Sequence, residues 1–446
     1  MIQKRQPTMS GAEELSERLK YGLLAGFALL MGGVAFLFNS PREIYEGNLT
    51  ILASPANLLT DYMALTNVGS ALFNVSLMTL QAIWIVRMAD AKINGPVIAG
   101  ILTIAGFAFF GKNLFNSMPI SIGAFTYARV TKVPIHKSLL AALFGTALAP
   151  LVSELSFKLG IGQPYGVFLG LGAGFVSGFL IPPLAHHFVT FTRGFSLYNV
   201  GFTCGIIGTV FISLMRNFGF EIETVNILAS GYNGPFSVLL YSLFSCMFLI
   251  GLQINGWSFH GLKRIIRHSG QLSTDYLELG GLGATLINMA LLGFLATTYI
   301  LLMGGEINGP VLGGIFTVIG FGAFGKNVKN VLPILIGVTL MGRLNYQDNQ
   351  STIVLISALF GTTLAPLAGR YGNIAGIIAG AMHLTLVMNI GYLHGGVNLY
   401  NNGFSGGLVA SILVPILEAF HLHRTNQRAL RRPVDPADEV EVDRTN

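Results

Sequence analysis

Charged residues are scarce in this chain, since Asp, Glu, Lys and Arg together make up 10% of its 446 residues. A typical soluble protein carries about 25%, so this scarcity excludes a string of soluble domains. Cysteine is scarcer still, and Cys204 and Cys246 both lie within apolar stretches. Two such cysteines exclude a disulfide framework and a cysteine-rich metal site, and both are expected to be small core residues.

Motifs that carry phosphate, metal or acyl chemistry are also missing. The sequence contains no phosphate-binding P-loop, no cluster of metal ligands and no nucleophile elbow. It also lacks the basic surface of a nucleic-acid-binding protein. We therefore expect no cofactor, no metal, no nucleic-acid partner and no enzymatic activity, and we do not expect this chain to drive transport with ATP.

Apolar residues and glycine are abundant instead, at 52% hydrophobic residues and 56 glycines. Small residues allow close helix packing in lipid. Fourteen apolar segments follow one another, some too short for a straight crossing and therefore candidates for re-entrant hairpins. They lie near 21–38, 69–87, 95–111, 114–130, 139–155, 165–183, 196–215, 235–254, 281–303, 309–325, 328–343, 352–368, 372–392 and 399–420. The predicted fold class is an all-α polytopic membrane protein.

The basic residues predict its orientation. If every segment crosses and the amino end is cytoplasmic, 21 of the 26 lysines and arginines fall on the cytoplasmic side, as the positive-inside rule requires. We expect an inner (plasma) membrane protein with both termini in the cytoplasm. The predicted divisions are a cytoplasmic segment at 1–20, transmembrane repeats at 21–220 and 221–422, and a polar cytoplasmic tail at 423–446.

The two repeats are visible by eye. Ten residues from Ala142 to Leu151 recur from Ala358 to Leu367 with nine identities. Three further blocks recur at an offset of 214: Thr60-Asp61-Tyr62 as Thr274-Asp275-Tyr276, Ile93-Asn94-Gly95-Pro96-Val97 as Ile307-Asn308-Gly309-Pro310-Val311, and Gly111-Lys112-Asn113 as Gly325-Lys326-Asn327. Since each half holds an odd number of crossings, the second repeat is expected to be inverted relative to the first. This architecture is typical of solute carriers and channels, with the site between the halves.

The Gly-Lys-Asn blocks are the strongest candidates for that site. Lys112 and Lys326 each lie between two short apolar segments. A buried ammonium there demands an anionic partner, which a substrate carboxylate or phosphate could supply. The alternative is a tight turn at the membrane surface, with the lysine reaching the headgroups.

Other repeated polar residues are further candidates for substrate binding. Each also has a structural explanation, as a helix cap, an interhelical amide or a contact at a helix end. The substrate-binding candidates are Asn94, Asn308, Asn113, Asn327, Asn74, Asn288, Tyr198, Asn199, Tyr400 and Asn401, and the ion-coupling candidates are Asp61 and Asp275.

The paired INGPV, GKN and ALFGT-LAPL blocks resemble a conserved family of prokaryotic integral membrane proteins of unknown function. A partial resemblance to urea transporters rests on Asn94-Gly95 with Met118-Pro119 and on Asn308-Gly309 with Leu332-Pro333. Urea transporters continue the Leu-Pro step into a Thr-x-Pro-Phe filter, whereas this chain reads Ile334-Leu335-Ile336-Gly337. The second resemblance therefore implies a related fold and does not imply urea as the substrate.

We expect a secondary transporter or facilitative channel for a small polar or anionic solute, in contact with the lipid bilayer and compatible with homo-oligomers. Two rival hypotheses remain open. One is an intramembrane enzyme for a lipid-linked substrate, which needs a cluster of acid, base or metal-ligating residues. The other is a scaffold or sensor that transports nothing.

Overall fold

The computed structural model describes residues 11–430, apart from 57, 58, 161, 221, 223, 224, 273 and 345–347. Residues 1–10 and most of the predicted tail, 431–446, lie outside this range. The first half consists of α1 (Gly11–Phe38), α2 (Pro41–Ala53), α3 (Tyr62–Leu65), α4 (Val68–Met88), α5 (Gly95–Phe107), α6 (Leu114–Val130), α7 (Leu139–Phe144), α8 (Ala149–Phe157), α9 (Tyr165–Thr192) and α10 (Asn199–Asn217).

The second half repeats this order of helices. It consists of α11 (Asn233–Ile254), α12 (Leu262–Arg267), α13 (Tyr276–Leu302), α14 (Gly309–Gly320), α15 (Val328–Leu344), α16 (Thr352–Gly361), α17 (Ala365–Tyr371), α18 (Asn373–Ile390) and α19 (Asn401–Leu430). The break between α3 and α4 has its counterpart inside α13, where Gly281 leaves the helical conformation at φ 84°.

Ten helical stretches among the described residues are long and apolar enough to cross a membrane, five in each half. The broken helices α7–α8 and α16–α17 each count as one of these stretches. The protein is therefore an all-α polytopic membrane protein. The other four of the fourteen predicted segments are the short helices α5, α6, α14 and α15.

Helices α5 and α14 are too short for a straight membrane crossing. α5 has 13 residues and α14 has 12, so each is about 20 Å long at 1.5 Å per residue, against a hydrocarbon core of about 30 Å. After each of these helices the chain reverses at a glycine with positive φ, Gly111 at 79° and Gly325 at 94°. Glycine adopts this conformation without steric cost.

Helices α5 and α14 cross each other in antiparallel orientation. A Cβ atom on Gly106 would lie 2.8 Å from the carbonyl oxygen of Gly313, and one on Gly320 would lie 3.2 Å from the Cα atom of Ala99. Glycine at these contacts lets the two backbones approach closely. The crossing places the middle of each short helix against its counterpart from the other repeat.

A second glycine contact is repeated in both halves, where α6 packs on α9 and α15 packs on α18. A Cβ atom on Gly178 would lie 2.0 Å from the carbonyl oxygen of Ile120, and one on Gly380 would lie 2.4 Å from that of Ile334. The same interface is thus built twice from equivalent positions of the repeat.

We expect Gly178→Ala to lower the melting temperature of the detergent-solubilised protein. The added methyl group must push α6 away, and such overpacking costs about 1–3 kcal/mol. Gly172→Ala, on the same helix α9, is the matched control because no atom lies within 4 Å of its Cβ position. Equal melting temperatures for the two variants would show that the α6–α9 contact can accommodate the added methyl group without loss of stability.

The two cysteines differ from each other. Cys204 is buried, as expected, whereas Cys246 is exposed on α11. The expectation that Cys246 is a core residue is therefore wrong. Its apolar sequence context does not distinguish a side chain facing the protein core from one facing lipid, since both surroundings select apolar residues.

Candidate functional site

A Leu-Tyr-Asn segment occurs in each half, at 197–199 and at 399–401. Each segment is hydrogen-bonded to the broken helix of the other half. The backbone N–H of Leu197 donates to the carbonyl oxygen of Thr363 at 3.1 Å, and that of Leu399 donates to Ala147 at 3.0 Å. These reciprocal bonds hold both segments between the repeats. The tyrosine that follows each leucine therefore lies at the interface between the two repeats.

Each of these tyrosines contacts the buried lysine of the opposite repeat. Lys112 Nζ donates to the phenol oxygen of Tyr400 at 2.9 Å. Lys326 Nζ donates to the phenol oxygen of Tyr198 at 2.5 Å and to Thr362 Oγ1 at 2.6 Å. The lysines and the tyrosines predicted from the sequence thus form one cluster, in which each lysine pairs with the tyrosine of the other half.

Aromatic rings enclose both ammonium groups. Lys112 Nζ lies 4.7 Å from the ring centre of Tyr400 and 5.1 Å from that of Phe107. Lys326 Nζ lies 4.6 Å from the ring centre of Tyr198 and 5.2 Å from that of Phe321. Rings at such distances attract a cation through their quadrupoles.

Both lysines have 0% exposure, so the alternative of a lysine reaching the lipid headgroups is wrong. Among the described residues, no carboxylate lies within 4.0 Å of either ammonium group. Intramembrane ionisable residues are costly and usually paired. In the described part of the chain, the hydrogen-bond partners of the two buried lysine nitrogens are hydroxyl groups, an arrangement that leaves room for an anion as the opposite charge.

Thr362 is a site residue that the sequence reasoning missed. It belongs to the ten-residue block that recurs almost unchanged, and its counterpart Thr146 donates to the carbonyl oxygen of Leu143. The near-identity of the two ten-residue blocks was the sequence signal that could have identified this threonine as a site residue. A repeated threonine in an apolar segment could have been grouped with the lysine of the preceding hairpin.

A cavity of about 350 Å³ ends at this cluster. Tyr198, Tyr400 and the rings of Phe107 and Phe321 form its buried inner end, while exposed Lys137 lies at its mouth. Both repeats contribute to its wall. A second cavity of about 310 Å³ lies beside α1 and α11 and contains none of the sequence-predicted site residues.

The Asn-Gly-Pro blocks begin α5 and α14, as expected for caps. Asn94 Oδ1 accepts from the N–H of Val97, and Asn308 Oδ1 accepts from that of Val311. Neither asparagine lines the 350 Å³ cavity among the described residues. A ligand role for them stays a prediction without a contact that supports it.

The two aspartates cap the short helices of the opposite repeat. Asp61 accepts from the backbone N–H of Gly309 at 2.9 Å, and Asp275 accepts from that of Gly95 at 3.1 Å. Asp61 also accepts from the amide of Ala229 at 3.1 Å. These bonds explain both carboxylates structurally, and ion coupling stays a prediction.

Four other asparagines fix the hairpins, two by bonding to the hairpin backbone and two by bonding from the hairpin to a neighbouring helix. Asn74 donates to the carbonyl oxygens of Ala108 and Lys112, and Asn288 donates to those of Gly322 and Lys326. Asn113 and Asn327 donate to Ile51 and Ile265. These amides hold the lysine-bearing turns in place. The contacts support a positioning role for them.

The last two asparagines follow the tyrosines. Asn199 donates to the carbonyl oxygen of Ala185 at 2.8 Å and lines the cavity. Asn401 donates to Val387 at 3.3 Å and contacts His394. In the described part of the chain, no three His, Cys, Asp or Glu residues form a group able to hold a metal ion.

Comparison with known proteins gives a family and no substrate. No curated protein and no solved structure matches the chain, so the partial resemblance to urea transporters stays an expectation. One family matches twice, over residues 40–217 and 254–419, one match in each repeat. These ranges cover most of the chain, and the protein belongs to the family described as protein of unknown function (DUF1576).

Proposed function

We propose that this protein carries a small anionic solute across the membrane, as a secondary transporter or a facilitative channel. The observation that carries the proposal is the cavity between the repeats, whose inner end is formed by two phenols. Each phenol is bonded to a buried lysine that has no carboxylate within 4.0 Å among the residues that the structure describes. Preorganised donors in a site that excludes water favour negative charge.

The arrangement of the halves supports an inverted repeat. α5 and α14 cross antiparallel, and each lysine pairs with the tyrosine of the other repeat. Transporters with inverted repeats bind their substrate at the repeat interface and open to one side at a time. We infer that the cavity opens toward the cytoplasm, because its mouth lies beside Lys137, on the side that the basic residues assign to the cytoplasm.

Contacts at the other end support closure there. The N–H of Asp61 donates to the carbonyl oxygen of Ile227 at 2.9 Å, and the N–H of Ile227 donates to that of Leu59 at 3.1 Å. This short pairing lies beside the start of α14, at the opposite end of the α5–α14 crossing from the mouth. The proposed state is open to the inside and closed to the outside.

The proposal is tested by uptake of radiolabelled anions into liposomes that contain the purified protein. We expect Ala185→Trp to lower uptake at least about 10-fold, because the indole fills the cavity beside its mouth. Val176→Trp is the matched control on the same helix, since Val176 is 47% exposed and does not line the cavity.

Equal uptake by both tryptophan variants would contradict a path through this cavity. The rival hypotheses, an intramembrane enzyme and a scaffold or sensor, predict no uptake above that of empty liposomes. The same measurement therefore separates transport from both rival hypotheses. Localisation in the inner membrane, cytoplasmic termini and homo-oligomers remain proposals of the sequence.

A further inference from the structure

We infer that the solute is an organic monoanion, a carboxylate on an apolar body, and that the two phenols bind its carboxylate. This inference rests on the proposed function and names the substrate class of the same site. It is carried by three features of the cavity: its two donor groups, its apolar wall and its size.

The donors are Tyr198 and Tyr400. A phenol has one hydrogen to donate and lone pairs to accept, and the lysine behind each phenol uses its oxygen as an acceptor. Tyr198 is also in hydrogen-bond contact with Thr362, and for Tyr400 no acceptor of its hydrogen is found among the described residues. The hydrogen of each phenol can turn toward one oxygen of a carboxylate, with a buried lysine amine behind it.

The two phenols are close enough in the fold to act together. Each tyrosine packs beside the crossing of α10 and α19: a Cβ atom on Gly201 would lie 2.9 Å from the Cβ of Tyr400, and one on Gly403 would lie 3.1 Å from the Cβ of Tyr198. Both side chains line the same cavity. The donors therefore approach one ligand from the two repeats.

The rest of the wall is mainly apolar, with Phe107, Phe144, Phe321, Phe324 and Phe360 among its residues. A strongly hydrated inorganic anion would lose its water shell here and regain few donors, which is costly. An apolar body gains about 25 cal/mol per Å² of surface buried against such rings. The wall therefore favours a carboxylate with an apolar body over sulfate, phosphate or chloride.

The size of the cavity limits that body. An apolar cavity of about 150 Å³ can hold benzene, and this cavity measures about 350 Å³. It therefore accommodates a single ring or a branched chain with a short carboxylate arm.

The test is thermal unfolding of the full-length protein in detergent with four kinds of probe. Phenylacetate carries the charge and the ring, phenylacetamide carries the ring alone, acetate carries the charge alone, and phosphate and chloride are inorganic anions. We expect phenylacetate to raise the melting temperature by about 3–5 °C at saturation, and the other probes to raise it by less than about 1 °C.

The variant Tyr198→Phe/Tyr400→Phe keeps both rings and removes both donors. We expect it to lose the phenylacetate effect, whereas Tyr45→Phe, at a tyrosine 66% exposed on α2, keeps it. An equal shift with phenylacetamide would overturn the inference, and so would a phenylacetate shift that survives in the double variant.

The proposed function can fail or survive separately. Stabilisation by phosphate or chloride that needs Lys112 and Lys326, with none by phenylacetate, would overturn the organic monoanion and keep anion transport. Absence of stabilisation by every probe would overturn the inference, and anion uptake into liposomes would then decide the proposed function by itself.

Discussion

Replacing both buried lysines with methionine, Lys112→Met/Lys326→Met, should reduce anion uptake at least about 100-fold while leaving the protein as stable as before or more stable. Each lysine lies directly behind a phenol that would donate to the anion, and a positive charge roughly 6 Å from a bound anion contributes about 3 kcal/mol at an effective dielectric constant of about 20. Losing two such attractions corresponds to a factor of about 100 or more in binding.

The stability is expected to move in the other direction for a physical reason. A buried charge that has no opposite charge beside it is costly to fold around, and an apolar side chain of similar length removes that cost. Opposite signs for activity and stability would distinguish a functional lysine from one that merely holds the hairpin turn. The measurements are uptake into liposomes and thermal unfolding on the same preparations.

Lys329→Met is the matched control for both measurements. Lys329 follows Lys326 by three positions, lies on α15 and is exposed. It should change neither uptake nor melting temperature. Undiminished uptake by the folded double variant would remove the lysines from the proposed mechanism, and a large fall in melting temperature would assign them a structural role instead.

Asp61→Asn should destabilise the protein much more than Asp275→Asn, although the two aspartates are equivalent in the repeat. Asp61 is fully buried and accepts from the amides of Met63, Ala229 and Gly309. Asp275 is half-buried and accepts from the amides of Gly95 and Leu277. We expect losses of about 3 kcal/mol and about 1 kcal/mol respectively.

The reason lies in the second carboxylate oxygen. Asparagine replaces one acceptor with a donor, so at Asp61 at least one buried amide is left facing an N–H group, and an unsatisfied buried donor costs about 1–3 kcal/mol. Water can reach the partly exposed site of Asp275 and replace the lost bond. Urea or thermal unfolding of the two single variants measures the difference, and equal losses would contradict it.

The same pair of variants tests ion coupling. Because Asp275→Asn should fold nearly normally, its uptake can be measured with and without a proton or sodium gradient. Loss of the gradient dependence in this variant would support the predicted coupling role. Gradient-dependent uptake equal to that of the unchanged protein would limit Asp275 to capping α5.

Much of the architecture follows from the sequence because it depends on local patterns. The apolar runs predict the membrane class, the two sets of blocks predict the repeat, and Asn94 and Asn308 before Gly-Pro predict the starts of α5 and α14. Helix starts are coded by neighbouring residues, since a cap bonds to an amide three positions away. Such features need no knowledge of distant contacts.

The site depends on contacts that no local pattern encodes. Lys112 and Tyr400 are 288 positions apart, and Lys326 and Tyr198 are 128 apart. The sequence marked each residue as repeated, but it favoured no partner, because a repeat unit looks the same whether it pairs with itself or with its counterpart. The exchange between halves is decided where α5 crosses α14 and α10 crosses α19.

By itself, therefore, the sequence determined the membrane class, the repeat and the short polar turns that could hold a site. Only the tertiary structure decided that both lysines are buried and not at the surface, that Asp61 and Asp275 bond to backbone amides, and that Thr362 joins the cluster. The physical reason is that apolarity and capping act over a few residues, whereas burial and hydrogen bonding across the repeats depend on how the whole chain packs.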